Sequence, residues 1–163
     1  MLIGVVSDTH NNIRNIEEIV SLFNEKEISL VVHTGDIASA KSLEKFSCLN
    51  GKLIGVFGNN DRNETGFEEV SKKYSFDFGQ PPRCIKVLDK NIAIFHEPEK
   101  IEDYLVENSN IDIILHGHTH RYRNELYNEK LIFNPGESAG FFEGKNAIGI
   151  VDTQNLRARR IFF

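Results

Sequence analysis

Aspartate, asparagine and histidine gather at five points of this chain, each directly behind a short apolar run. Leu2–Val6 runs into Ser7-Asp8-Thr9-His10, and Leu30–Val32 into His33-Thr34-Gly35-Asp36. Leu53–Phe57 runs into Gly58-Asn59-Asn60-Asp61, Ile92–Phe95 into His96-Glu97, and Ile113–Leu115 into His116-Gly117-His118-Thr119-His120. These side chains are the oxygen and imidazole donors of metal sites. A mixed set without thiolate suits manganese, iron, nickel, cobalt or zinc better than calcium or magnesium. Singly, most of the pieces have plain alternatives. Asp8-x-His10 also reads as a helix cap and a polar turn, Gly35-Asp36 and Gly58-Asn59-Asn60-Asp61 as turns, and His96 as a core histidine. His118-x-His120 behind Gly117 is harder to explain by packing. One placement repeated at five run ends points to a shared site.

The chemistry such a set supports is dinuclear. Asp8, His10, Asp36, Asn59, His96, His118 and His120 are too many donors for one ion with an open position. Two neighbouring cations need a bridging carboxylate, and Asp36 is the candidate. On an extended strand end Asp8 and His10 would point the same way and reach one ion. Most of the other donors are neutral, so two divalent ions keep the site locally positive although the chain carries a net charge of −5. That local charge attracts a phosphate. Ions ~3.5–4 Å apart clamp a phosphoryl group and supply a bridging hydroxide, held by Asp36, as the attacking group. His33 and His116 sit one place inside their runs and read as supports for the donors.

The elements that must position these donors follow from periodicity. Short β-branched runs, including Leu131–Phe133 and Ala147–Val151, read as buried strands. Ile13, Ile16, Ile19, Val20 and Phe23 share one helical face, entered through Asn11-Asn12 as caps. Leu43 and Phe46, then Phe67, Val70 and Tyr74, then Ile101, Tyr104 and Leu105 behind Pro98, mark three more helices. Strand and helix alternate through the first half, which implies parallel βαβ units with ligands beyond the carboxyl ends of the strands. The last forty-odd residues lack a helical period and turn at Tyr127-Asn128-Glu129 and Glu143-Gly144-Lys145, so an antiparallel meander is expected to complete a second sheet. The expected fold is α/β, with two packed mixed β-sheets and helices outside.

Composition bounds the rest. With 163 residues, 40% hydrophobic and 26% charged, the chain suits one globular domain over 1–163. No apolar run approaches the ~20 residues of a membrane span. The opening MLIGVVSDTH has no basic region and meets Asp8 too early for a signal peptide. Cys48 and Cys84 form no CxxC pair, and a cytoplasmic, reducing setting is expected. The negative balance argues against a broad nucleic-acid surface. Arg157, Arg159 and Arg160 form the one dense basic run, read as a solvated edge strand.

The ordered series Asp8-x-His10, Gly35-Asp36, Gly58-Asn59-x-Asp61, His96 and Gly117-His118-x-His120 resembles the calcineurin-like metallophosphoesterase superfamily. Its length and the Gly-Asn-x-Asp variant resemble the small bacterial and archaeal phosphodiesterase branch, as does Asn134-Pro135-Gly136. The resemblance implies a four-layer α/β sandwich. It implies Asp8, His10, Asp36 and His120 on one metal and Asp36, Asn59, His96 and His118 on the other. It further implies two divalent ions per chain, manganese first, with nickel, iron, cobalt or zinc as alternatives, and a small phosphodiester substrate. Two departures stand out. Larger monoesterase members carry a histidine after the Gly-Asn pair, where this chain reads Asn60-Asp61, and Asp61 is taken as the candidate catalytic carboxylate. Glu97-Pro98 follows His96 where the branch commonly has glycine, and Glu97 is read as facing solvent at a helix start. A scaffold function without catalysis, as in a eukaryotic retromer subunit of similar fold, is the alternative. The oligomeric state is open, with a homodimer as one candidate assembly.

Overall fold

Apolar runs without polar alternation need two buried faces, and the fold supplies them. The computed structural model describes residues 1–163. Its first half runs β1 (Leu2–Val6), α1 (Ile13–Glu25), β2 (Leu30–His33), α2 (Ala40–Lys45), β3 (Lys52–Val56), α3 (Phe67–Tyr74) and β4 (Asp77–Gly79). There follow β5 (Arg83–Val87), β6 (Lys90–Ile94), α4 (Ile101–Glu107), β7 (Ile113–Leu115), β8 (Arg123–Tyr127), β9 (Lys130–Asn134), β10 (Ala147–Asp152) and β11 (Arg157–Phe162). One sheet has the order β11-β10-β1-β2-β3-β4 and the other β5-β6-β7-β9-β8.

Three apolar clusters define four layers. Ile3, Val5, Val32, Val56, Ile92, Ile94, Leu115 and Phe133 fill the space between the sheets. On the outer face of the first sheet, Val6 and Val31 pack with Ile16, Ile19 and Phe23 of α1, Leu43 of α2 and Phe67 of α3. On the outer face of the second, Ala93, Ile114 and Ile132 pack with Ile101 and Leu105 of α4. Successive residues of β1 and β2 thus serve different cores, as the period of two requires.

β1 to β4 are parallel neighbours, as the alternation with helices implies. The last strands divide differently from the expected single meander. β8 and β9 join the second sheet, where β9 is parallel to β7, while β10 and β11 cross back and β10 pairs antiparallel with β1. The reason is burial: β10 is apolar almost throughout and needs a covered position beside β1, which a solvated meander would not provide. β11 is the sheet edge, with Arg157 and Arg159 exposed, in keeping with the basic run.

Helix starts follow local chemistry. Asn12 caps α1 by accepting from the Asn15 N–H at 3.2 Å, and Ser39 caps α2 by accepting from Ser42 N–H at 3.2 Å. Phe46 lies beyond α2 in a short 3-10 turn, Phe46–Cys48, and still packs in the core. Pro98 stands just before α4, and its carbonyl accepts from the Ile101 N–H at 3.1 Å. No helix is long and apolar enough to cross a membrane.

Candidate metal centre

β1, β2, β3, β6 and β7 are parallel within their sheets, and each delivers its polar residues just past its carboxyl end. Two groups of donors result: Asp8, His10 and His120, and Asp36, His96 and His118, with the ligand atoms in each within 4.8 Å of one another. Asp36 faces both groups. Its Oδ2 lies 3.5 Å from His10 Nε2 and its Oδ1 3.4 Å from His96 Nε2. Asp8 Oδ1 lies 3.5 Å from His120 Nε2. Asn59 Oδ1 completes the second group, 2.9 Å from His96 Nε2 and 3.0 Å from His118 Nδ1. All seven donors named from sequence therefore come together.

The local backbone is unusual. Asp8 (φ 52°), His10 (38°), Asp36 (60°), His118 (67°) and His120 (56°) all adopt the left-handed conformation that side chains other than glycine's disfavour. Asp8 and His10 therefore meet through a tight turn after β1, not through the extended strand end expected for them. Each such residue costs of order 1–3 kcal/mol, and clusters of them mark functional sites. Two glycines let the loops close in. A Cβ on Gly58 would collide with Asp36 Oδ1, and one on Gly117 with Ser7 Oγ.

The hydrogen bonds of the donor set suit a cation. His96 Nδ1 lies 2.9 Å from the Thr34 carbonyl, which only accepts, so Nδ1 carries the proton. In the neutral ring Nε2 then presents a lone pair to oxygens of Asp36 and Asn59. His120 Nδ1 likewise faces Glu137 Oε2 at 3.3 Å, which leaves its Nε2 lone pair opposite His10 Nε2 at 3.2 Å. Lone pairs converging on lone pairs and carboxylates fit a cation between them. Asp8 is fully buried, and burial pushes its carboxyl above the usual range although it accepts from the Ser7 hydroxyl and the His118 N–H. Burial acts to raise Asp36 too. His96 and the backbone and side-chain N–H donors of Asn60, at 2.9 and 2.7 Å, outweigh it and hold Asp36 well below the carboxylate range. A firmly ionised Asp36 between the two donor groups suits bound divalent ions.

Asp61 sits elsewhere. It is 3% exposed, and its carboxylate accepts from the backbone N–H of Gly58 at 2.7 Å, Asp36 at 2.8 Å and Ala38 at 2.7 Å. Through these bonds Asp61, the candidate catalytic carboxylate of the sequence reading, ties the Asp36 loop to the Gly58-Asn59 turn. Burial raises its carboxyl. The residue directly after Gly58-Asn59 is Asn60, whose amide holds Asp36. Glu97 faces solvent, as expected, and there pairs with the exposed Arg62 at 3.2 Å. His33 and His116 stand outside both groups. His33 takes the Gly35 N–H on Nδ1 at 3.1 Å and faces Thr9 Oγ1 through Nε2 at 3.2 Å; burial pushes it down to about 3. Burial likewise pushes His116 down to about 4.

Sequence reasoning missed Glu137. It is fully buried, supports His120 Nδ1, and accepts from the backbone N–H of Phe141 at 3.3 Å and Phe142 at 2.7 Å. A carboxylate behind a ligating imidazole fixes its tautomer and raises its basicity. The available signal was its place just after Asn134-Pro135-Gly136, at the end of an apolar run like the other donors.

Comparison with known proteins agrees with this geometry. The chain is 30% identical over 167 residues to Phosphodiesterase MJ0936 of Methanocaldococcus jannaschii, covering 99% of this chain and 98% of that protein. It is 28% identical to a probable metallophosphoesterase of Methanothermobacter thermautotrophicus, covering 83% of this chain and 76% of that one. Among solved structures, a novel archaeal phosphodiesterase superposes with a TM-score of 0.89 at 30% identity, covering 100% of both chains. The Escherichia coli phosphoesterase Yfce shares the fold, with a TM-score of 0.68 at 19% identity over 99% of this chain and 98% of that one. The profile of the calcineurin-like phosphoesterase superfamily domain matches residues 1–156, and the chain belongs to that superfamily.

Proposed function

We propose that the protein is a phosphodiesterase working at a dinuclear metal centre. The observation that carries this reading is the Asp36 carboxylate, with one oxygen facing each donor group. The full-length similarity to an archaeal phosphodiesterase supports the same activity. Asp8, His10, Asp36 and His120 would hold one ion, and Asp36, Asn59, His96 and His118 the other. Manganese is the first candidate, with nickel, iron, cobalt or zinc admissible for the same donors. When bound, two such ions activate a water and polarise the phosphoryl oxygens.

The chain's own residues do the rest. Asp36 and Asp8 supply the negative charge that keeps two cations close. Glu137 and the Thr34 carbonyl fix the proton on Nδ1 of His120 and His96, so both rings offer Nε2. In hydrolysis a P–O bond forms to water, the ester P–O bond breaks, and the departing alcohol takes a proton, leaving a phosphomonoester. Asn60, which donates to Asp36, is an amide and has no acidic proton to give a leaving group. That favours diesters, which carry less charge than monoester dianions. A scaffold without catalysis is disfavoured, because every donor position holds a competent residue.

The test is elemental analysis after manganese loading, coupled to a comparison of bis(p-nitrophenyl) phosphate with p-nitrophenyl phosphate. We expect near two equivalents per chain and a higher kcat/KM for the diester. Saturation at one equivalent would overturn the dinuclear reading, and a monoester preference the diesterase reading.

A further inference from the structure

Phe141 is 62% exposed, an unusual setting for a phenylalanine, yet it is not a stray surface residue. Its ring lies 5.4 Å from that of His120 at an interplanar angle of 10°, and 5.2 Å from that of His10. One face therefore covers two donors of the candidate centre, and the exposure leaves the other open to solvent. The loop that carries it is held firmly. Glu137 binds the backbone N–H of Phe141 and Phe142 and also supports His120. Asn12, the cap of α1, and Asn15 within it donate side-chain N–H groups to the carbonyls of Ala139 at 2.7 Å and Ser138 at 2.8 Å. Gly140 turns the chain at φ 81°, and the Phe142 carbonyl accepts from the Lys145 N–H at 3.1 Å. A ring held in place before binding loses little freedom when a ligand stacks on it.

We propose that Phe141 is a specificity platform that selects phosphodiesters whose ester group is a planar aromatic ring, a nucleobase or an aryl group, over purely alkyl ones. This rests on the phosphodiesterase reading and names its substrate class. The reasoning is one of reach. A phosphoryl group at the His10 and His120 side of the centre has its ester groups a few bonds from phosphorus, and the open face of Phe141 borders that same side. Every base or aryl ring offers a π-face, so the platform is tolerant of which ring it receives. An apolar surface is also what an acidic chain can offer a substrate whose charge is already met at the centre.

The experiment measures binding to manganese-loaded protein by calorimetry. Phenylphosphonate is compared with methylphosphonate at a pH where both are dianions; the P–C bond cannot be hydrolysed. Thymidine 5′-phosphate is compared with ribose 5-phosphate to separate a nucleobase from a simple aryl group. We expect the aromatic member to bind roughly 5- to 100-fold more tightly, the range of one base-on-aromatic stack. Phe141→Leu keeps apolar cover over the histidines but removes the π-face, and should bring the ratio close to one; Phe141→Tyr should restore it. Metal content is read on the same samples. Equal binding of both phosphonates by the native protein would overturn the platform and leave the phosphodiesterase reading standing. No phosphonate binding by fully loaded protein would overturn the platform; the phosphodiesterase reading, which favours diesters over dianions, would stand on its own test. If Phe141→Leu lost metal and weakened both phosphonates alike, Phe141 would be a shield for His10 and His120, and the proposal would fall.

Discussion

Asp36 is the residue on which the two donor groups depend together, and its environment shows how that is arranged. Its oxygens face His10 and His96, its amide N–H is held by Asp61, and Asn60 grips it from the solvent side. Asp36→Ala should therefore damage both ion sites, whereas His96→Ala should weaken mainly the second. At limiting manganese the loss of kcat/KM should be clearly larger for Asp36→Ala, with circular dichroism unchanged for both, since neither side chain belongs to an apolar cluster. Equal, small losses would show that the bridge is misassigned. Glu137 acts one step further out, through His120 and the Phe141 loop. Removing such a partner commonly costs ~10–100-fold in metal affinity. Glu137→Gln should show a loss of that order for one of two equivalents in a metal titration; an unchanged isotherm would remove Glu137 from the site.

At the scale of elements, the centre exists because loops after strands of two different sheets can approach closely. The tightest approach is Gly117 after β7 against Ser7 and Asp8 after β1, where an added Cβ would also come 2.9 Å from Asp8 Oδ2. Gly117→Ala should push the His118–His120 turn outward and separate His120 from Asp8. The expected outcome is a fold with nearly native circular dichroism that binds metal weakly, measured by equilibrium dialysis. Native affinity would mean the two loops have more room than their contacts indicate. The same elements explain what the sequence showed and hid. The face of α1 and the buried strands repeat with a clear period, so they are legible. β4, β5 and β8 were not: β4 has only three residues, and β5 and β8 lie at or near sheet edges, half-exposed and polar. Short edge strands owe their structure to a neighbour, not to their own pattern.

At the scale of the molecule, the layered packing buries polar groups that support the centre, and this has a cost in acid. His116 is held neutral, pushed down to about 4 by burial, with Nε2 lacking any partner. Its folded pKa lies below the unfolded value near 6.5, so below that pH the unfolded chain binds a proton that the native state refuses. Stability should then fall by about 1.4 kcal/mol for each pH unit between roughly 6.5 and 4.5. His116→Asn in metal-free protein should flatten the slope of stability against pH by that amount, measured by urea unfolding. Parallel slopes for variant and native protein would show that His116 can be protonated in the fold.

Residue type and order alone determined the donors, the alternation of strand and helix, and the superfamily resemblance. They did so because an apolar strand ending abruptly in Asp, Asn or His is a local pattern, visible wherever it occurs. Three matters were decided only by tertiary structure. β10 crosses back to β1, because its burial demand is met only there. Asp61 turns inward to three backbone N–H groups, since loops of β2 and β3 crowd around it. Glu137 and Phe141 reach His120 because β9 returns parallel to β7, which brings residues distant in sequence onto one imidazole. Each depends on contacts between segments far apart in the chain, and no local spacing encodes such a contact.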